Sequence, residues 1–328
     1  MKKLAIEDSI GSTLAHDLTR IIPGVEKGPL FKMGHVLTEK DIPLLLDIGK
    51  KHVYVLEENE QGVHENEAAQ RISSAVYGEN LQISTPSEGK VNLTATRDGV
   101  LRIDEGLLLE LLEDPEVCFS TAIPQLPYRK DDLIASCRII PLIKESTDLA
   151  RLEELFKDRG PLIWVDPYHK QKVGLIITGS EISEGRIQDA FGPRLMIRNQ
   201  GFGAQIMGIA YPGDDQEEIK KQIRNFLDQG ATMIQLSGGM SVDPDDTTKF
   251  AIREMCDETV IYGTSVLPGA MFMLSYCGDV PVVGLPAGVV ASPSSIFDLT
   301  IPRLFTGEKL KRSDFQKMAL GGLISARK

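Results

Sequence analysis

The chain has 328 residues, 42% hydrophobic and 25% charged, enough apolar content to bury more than one core and a length that suggests two or three domains. Its net charge of −11 argues against nucleic acid as the main partner, because phosphate backbones need clustered Lys and Arg. No apolar run is long enough to span a bilayer, and MKKLAIEDSIGSTLAHD lacks the apolar stretch of a signal peptide, so no membrane partner and a cytoplasmic location are expected.

Residues 1–80 read as an α+β region. In FKMGHVLTEKDIPLLLDIGKKHVYVLE, Thr38 is the expected N-cap of a helix carrying Ile42, Leu45 and Leu46; it ends near Gly49 and HVYVLE follows as a strand. From residue 61 a polar helical segment is expected as a connector. Residues 81–145 read as β-rich: GKVNLTATRDGVLRID alternates around Asp98-Gly99, a hairpin signal, and FSTAI and ASCRIIPL read as further strands. ESTDLARLEELFKDRG, within a connector at 146–170, is an amphipathic helix with a Gly stop.

From 171 to 312 strands and helices alternate: KVGLIITG, GAQIMGIAYPG, ATMIQLSGG and VPVVGLP are strands, separated by helical patterns such as DDQEEIKKQIRNFLDQG and TTKFAIREMC. This alternation predicts a three-layer α/β/α domain with a mostly parallel sheet, followed by a tail at 313–328. Ligands of such folds sit outside the carboxyl ends of the strands, so TGSEISEG, AYPGDD, SGGMSVDPDD and GLPAGVV should share one rim.

SGGMSVDPDD carries the strongest chemical signal on that rim. Gly238 and Gly239, after Ser237, let a ligand approach the backbone; Met240 follows, and Ser241 offers a hydroxyl. Asp243, Asp245 and Asp246 repel one another unless a divalent ion lies between them, and they could hold a Mg²⁺ that bridges to phosphate. The plainer reading makes Asp245 or Asp246 a helix cap, but three residues cannot all be caps. In TGSEISEGRIQD, Thr178, Gly179, Ser180 and Glu181 could read a polar ring or phosphate, with Gly185, Arg186 and Asp189 entering the next helix; Ser183 as an N-cap with a solvated Arg186 is the equal alternative. Asp214 and Asp215 open a helix, where capping carboxylates are common. Pro268-Gly269 and Gly284-Leu285-Pro286 are stiff turns bordering the same rim. The four cysteines form no C-x-x-C pair and are expected as reduced thiols, and the five histidines show no triad or metal spacing.

Taken in order, TGSE…G-x-I-x-D, the Asp-Asp after the second strand, GGMS…DD-T, PG and GLP resemble the molybdopterin-binding domain of molybdenum-cofactor biosynthesis proteins over residues 171–312. GGMSVDPDD, YG-x-x-VLPGAMF and the final GGL resemble a bacterial class of molybdopterin-binding proteins, and IGSTLAHDLT is similar to the start of molybdopterin molybdenumtransferase. The resemblance implies molybdopterin or its adenylated form as ligand, with Mg²⁺. It implies a transferase activity, either adenylation of molybdopterin or insertion of molybdate. It maps the essential carboxylate onto Asp246 and its partner onto Asp214 or Asp215. A homo-oligomer is also implied.

Leu267 and Ala270 stand where the insertase has lysines beside Pro-Gly, and Ala287 replaces the last glycine of GLPG. Those departures favour a non-catalytic carrier for an apo molybdoenzyme; the acidic cluster favours an enzyme. A nucleotide-processing protein of the competence-damage-inducible type shares the domain, but GGMSVDPDD departs from its GGxGPTxDD loop, which puts that reading last.

Overall fold

The computed structural model describes residues 1–57 and 62–324. Gln61, where the connector helix is expected to begin, and the last four residues of the tail lie outside the described residues. The chain forms two units: one of Met1–Arg97, Leu101–Pro124 and Arg129–Val165, the other of Asp98–Val100, Gln125–Tyr128 and everything from Asp166 on.

In the first unit, the N-terminal segment has its own apolar centre, built from Ile6, Leu14, Leu18, Phe31, Leu37, Leu45, Val53 and Val55. Around it Lys2–Ala5 pairs with His52–Val55, Leu18–Ile22 pairs with Glu26–Phe31, and a helix spans Asp41–Asp47. Thr38 does not cap this helix. Its N–H and hydroxyl instead donate to the Asp41 carboxylate at 2.8 Å each, so the cap runs in the reverse sense. The four-stranded antiparallel sheet of the first unit takes Leu81–Ile83, Lys90–Ala95, Leu133–Ile139 and Val117–Thr121 in that order.

Glu65–Val76 is no polar connector: Ala68, Ala69, Ile72 and Val76 form a buried face at helical spacing. The Asp98-Gly99 hairpin is also absent. Lys90–Ala95 pairs with Leu81–Ile83 and Leu133–Ile139, whereas Gly99–Ile103 pairs with Pro127–Tyr128. Neither Asp98 nor Gly99 has the positive φ that a two-residue type I′ turn needs. Val100 and Leu101 are both fully buried, which a strand with one wet face would not allow. The structure adds a helix at Glu105–Leu111, capped by Asp104 through the Leu107 N–H.

The second unit holds β1 (Lys172–Ile177), α1 (Gly192–Gln200), β2 (Gln205–Ala210), α2 (Gln216–Asp228), β3 (Met233–Ser237), α3 (Thr248–Met255), β4 (Glu258–Tyr262), β5 (Met273–Cys277), β6 (Val280–Leu285), α4 (Ala287–Ala291), α5 (Ile296–Phe305) and α6 (Arg312–Lys317). The sheet order is β2-β1-β3-β6-β5-β4. β2, β1, β3 and β6 are parallel; β5 runs antiparallel to β6 and to β4.

Alternation along the strands decides which helices cover which face. Val173, Leu175 and Ile177 of β1 face Leu195 of α1 and Phe297, Ile301 and Phe305 of α5. Ile176 of β1 and Ile234 and Leu236 of β3 face Ile219, Ile223 and Phe226 of α2 and Ile252 of α3. This is the expected three-layer α/β/α fold. The β4–β5 pair, which the sequence pattern does not reveal, extends the sheet at one edge. It also corrects the thiol assignment. Returning the chain antiparallel brings Cys256 and Cys277, 21 residues apart, to a Cα separation of 4.3 Å, and the two are disulfide-bonded; Cys118 and Cys137 are free.

Candidate functional site on the carboxyl rim

Because β1, β2, β3 and β6 are parallel, the loops that leave their carboxyl ends line one edge of the sheet. Two of them are tied together by a carboxylate. Asp214 Oδ2 accepts the N–H of Ser180 at 2.7 Å and its hydroxyl at 2.8 Å. Asp215 turns the other way and caps α2, accepting the Glu218 N–H at 2.9 Å. The adjacent pair, indistinguishable by spacing, thus has one member on the rim and one in a helix cap. A third loop joins them: the Thr247 hydroxyl donates to the Asp214 carbonyl at 2.6 Å.

The diglycine has a structural cause. Gly238 has φ +104°, and a Cβ there would lie 2.5 Å from the Thr178 carbonyl oxygen. Gly239 has φ +57°, and a Cβ there would lie 2.5 Å from the Thr248 hydroxyl. Thr178 and Thr248 share a hydrogen bond of 3.1 Å across this gap. The two glycines therefore let the end of β1 close on the start of α3. Met240 is 2% exposed and belongs to the core beneath α2 and α3 rather than to a ligand surface. A Cβ on Gly284 would meet its terminal methyl at 2.4 Å, which accounts for that glycine. Ser237 and Leu285 are likewise buried, whereas Ser241 is exposed.

The three carboxylates part company. Asp243 and Asp245 are exposed, and Asp246 is half-buried. Pro244 sits inside a turn closed by the Asp246 N–H on the Asp243 carbonyl at 3.1 Å. Neither Asp245 nor Asp246 caps α3, whose N-cap is Thr247 without a side-chain cap bond. Asp246 Oδ2 is buried and has no hydrogen-bond partner. The expected three-aspartate metal cage is not formed: among the described residues no group of three or more His, Cys, Asp or Glu is arranged to hold a metal ion. The turn spreads the side chains outward and leaves only Asp246 facing in. One unpaired buried carboxylate oxygen does fit a Mg²⁺ completed by ligand phosphates, since Mg²⁺ is usually held by one or two carboxylates plus phosphate oxygens.

Two further groups, which sequence reasoning did not single out, hold this loop. The Lys249 ammonium donates to the Ser241 carbonyl. The Tyr262 hydroxyl donates to the carbonyls of Met240 at 2.9 Å and Ser241 at 3.3 Å. Burial raises the pKa of Tyr262; Arg253 acts against that shift and Asp246 with it. Tyr262 enters the sequence reading only as the first residue of YG-x-x-VLPGAMF; that its hydroxyl reaches the SGGMS loop depends on where β4 lies in the sheet. Lys249 is visible in the sequence as a cation at the start of α3.

The other expected contact residues have partners or turns of their own. Arg186 is 72% exposed on its side chain and pairs with Glu184. Asp189 accepts the N–H groups of Phe191 and Gly192 and the Tyr211 hydroxyl, fixing the entry to α1. Gly185 makes an open turn with φ +72°, and Ser183 sits inside the short helix Ser180–Ser183 rather than at a cap. Gly179 has φ +130°, and a Cβ there would lie 2.8 Å from the Glu181 carboxylate. Gly269 is required by packing, since a Cβ there would sit 2.4 Å from Ile296. Pro286 caps α4.

Pro268 lines a cavity of about 640 Å³, together with Ser292, Ser294 and Leu299 beyond α4 and with Pro127 and Tyr128. Tyr128 and Pro127 are held in place by pairing opposite Gly99 and Val100. The volume falls in the range of small-molecule pockets, roughly 300–1,000 Å³. This wall was beyond sequence reasoning, because residues 126–128 lie in the middle of the chain and carry no motif.

A domain with this layering and these rim loops is of the class that binds small ligands at strand ends. Residues 174–306, within the second unit, match the family model described as "Probable molybdopterin binding domain". Residues 3–57 match a domain of unknown function, DUF8806. A CinA-like protein of Mycobacterium avium (strain 104) is 33% identical over 95 residues, 29% of this chain and 22% of that protein. A CinA-like protein of Mycolicibacterium gilvum (strain PYR-GCK) is 35% identical over 85 residues, 26% of this chain and 20% of that protein. The chain spans about a fifth of the length of the curated relatives it matches. Among solved structures, the molybdopterin biosynthesis enzyme MoaB of Thermus thermophilus is 22% identical with a TM-score of 0.37, covering 43% of this chain and 99% of that one. No helix among the described residues is long and apolar enough to cross a membrane.

Proposed function

We propose that the second unit binds molybdopterin, free or adenylated, at the carboxyl rim. The phosphate lies beside the Gly238-Gly239 turn and a Mg²⁺ is shared between it and Asp246. The pterin occupies the cavity walled by Pro268 and Tyr128. The observation that carries this reading is the buried, unpaired Asp246 Oδ2 next to a turn tied to Asp214 through Thr247. A buried carboxylate oxygen without a partner is costly, by about 1–3 kcal/mol, and a bound cation would offset that cost. Mg²⁺ would screen the charge of the phosphate. Asp214 holds the Ser180 turn against the rim, and Tyr262 fixes the Met240–Ser241 backbone.

On this reading the chain is a cytoplasmic homo-oligomer in molybdenum-cofactor biosynthesis, with molybdate and an apo molybdoenzyme as further partners. Leu267 and Ala270 offer no charge to a phosphate beside Pro268-Gly269, which favours a carrier over an insertase. Incubation with adenylated molybdopterin and Mg²⁺, with AMP measured before and after molybdate is added, separates the two: AMP release on molybdate addition marks an insertase, and retained adenylated ligand marks a carrier. Failure of either pterin form to bind would refute both. The second reading, a nucleotide-processing protein, is favoured by the CinA-like names of the curated relatives. Binding of a nucleotide in preference to any pterin would establish it.

A further inference from the structure

Lys249 is 8% exposed. Its ammonium donates to a backbone carbonyl, that of Ser241, and lies 5.2 Å from the Phe250 ring and 6.0 Å from the Tyr262 ring. Among the described residues no carboxylate pairs with it. Burying an ammonium without a counter-ion is expensive, and natural chains rarely do so unless the charge has a partner. One turn along α3, Arg253 stands 5.3 Å from the same Tyr262 ring, and it too has no carboxylate partner among the described residues. Residues four apart share a helix face, so the buried Lys249 and the exposed Arg253 both stand near the Tyr262 ring. Five residues beyond Ser241 in the same loop, Oδ2 of Asp246 is buried without a hydrogen-bond partner. The chain carries a net charge of −11, so carboxylates are plentiful, yet among the described residues none serves these two cations.

We infer that Lys249 is an anion contact of the rim, assisted by Arg253, and that its ligand is the phosphate or diphosphate group of the bound molecule. The inference rests on the phosphate placement proposed above and deepens it. It supplies, from α3, the positive charge that Leu267 and Ala270 do not. The ammonium leaves the Ser241 carbonyl, or shares it, to meet a phosphate oxygen; Asp246 takes the metal side of the same group. A cation and a metal-binding carboxylate at the same loop would recognise a Mg²⁺-diphosphate better than either alone.

The test uses the full chain and inorganic pyrophosphate, titrated by calorimetry with and without MgCl2, alongside thermal unfolding. Lys249→Gln keeps a donor for the Ser241 carbonyl but removes the charge; it should weaken Mg²⁺-free pyrophosphate binding by about tenfold or more, the usual worth of one charge-assisted hydrogen bond. Lys249→Arg should keep most of the affinity, and Arg253→Gln should lose a few-fold. Asp246→Asn should keep Mg²⁺-free binding and lose its enhancement by Mg²⁺. A Lys249→Gln variant that binds pyrophosphate as the unaltered chain does would overturn the inference and leave Lys249 as a clamp on the loop. So would an unaltered chain that binds no pyrophosphate. Pyrophosphate binding that depends on Lys249, in a chain that binds no pterin, would uphold the anion contact and refute the pterin reading alone.

Discussion

Asp246→Ala should make the ligand-free protein more stable while abolishing its response to Mg²⁺. Oδ2 of Asp246 is buried and has no hydrogen-bond partner, and an unsatisfied buried acceptor costs about 1–3 kcal/mol. Asp246 caps nothing, since α3 begins at Thr247 without a side-chain cap bond, so truncation removes no helix stabilisation. Allowing for the packing of the truncated side chain, the net gain should be about 1 kcal/mol, which raises Tm by about 2–4 °C in a domain of this size. The assay is thermal unfolding by circular dichroism, first in EDTA and then with MgCl2 and pyrophosphate. In the unaltered chain, ligand at about a hundred times its Kd would add about 2.7 kcal/mol; the variant should lose the Mg²⁺-dependent part of that increment. A fall of several degrees in EDTA would show that Asp246 holds the fold together, and the metal reading of the loop would fail.

Other substitutions separate the roles of neighbouring groups. Asp215→Ala should cost about 1 kcal/mol through the missing helix cap and leave pyrophosphate affinity unchanged, whereas Asp214→Ala should release the Ser180 turn and weaken binding; isothermal titration of the two variants checks the split. Gly238→Ala forces a Cβ to 2.5 Å from the Thr178 carbonyl at a φ of +104°, so it should destabilise the second unit by more than about 1 kcal/mol, seen as a lower urea midpoint. Tyr128→Ala should reduce pterin affinity without altering the Mg²⁺ dependence of pyrophosphate binding. Glu65, 5% exposed, has its pKa raised chiefly by burial, against the opposing pull of His64 and Arg138. A raised carboxyl pKa means that the native state holds a proton the unfolded chain has lost, so this group's contribution falls as pH rises above the ordinary glutamate range. Glu65→Gln should therefore flatten the fall in stability as the pH rises above about 4.5, measured by urea unfolding at several pH values.

The parallel part of the second unit is readable because its strands are mostly apolar runs between helices of clear period, so its layers and its rim follow from alternation. Gly238 and Gly239 are readable as a special turn, but their reason is not: they answer to Thr178 and Thr248, which meet across 70 positions of sequence. The same limit hides the split between Asp214 and Asp215, which depends on which one faces Ser180. Asp98-Gly99 misleads because a turn dipeptide between two apolar runs says nothing about the partner each run finds; the strand with the buried Val100 and Leu101 pairs elsewhere. Cys256 and Cys277 look separate because the strands that bring them together, one of them carrying Tyr262, are short and joined by a Gly/Pro loop.

Whether the rim holds a molybdopterin phosphate through Mg²⁺ and Asp246 decides the functional reading. Calorimetric titration of the full chain with molybdopterin, with and without Mg²⁺, and of Asp246→Ala under the same conditions, tests that directly. The expected result is saturable binding strengthened by Mg²⁺ in the unaltered chain, with the Mg²⁺ effect gone in the variant. Absence of pterin binding, or binding that responds to Mg²⁺ equally in both proteins, would contradict it.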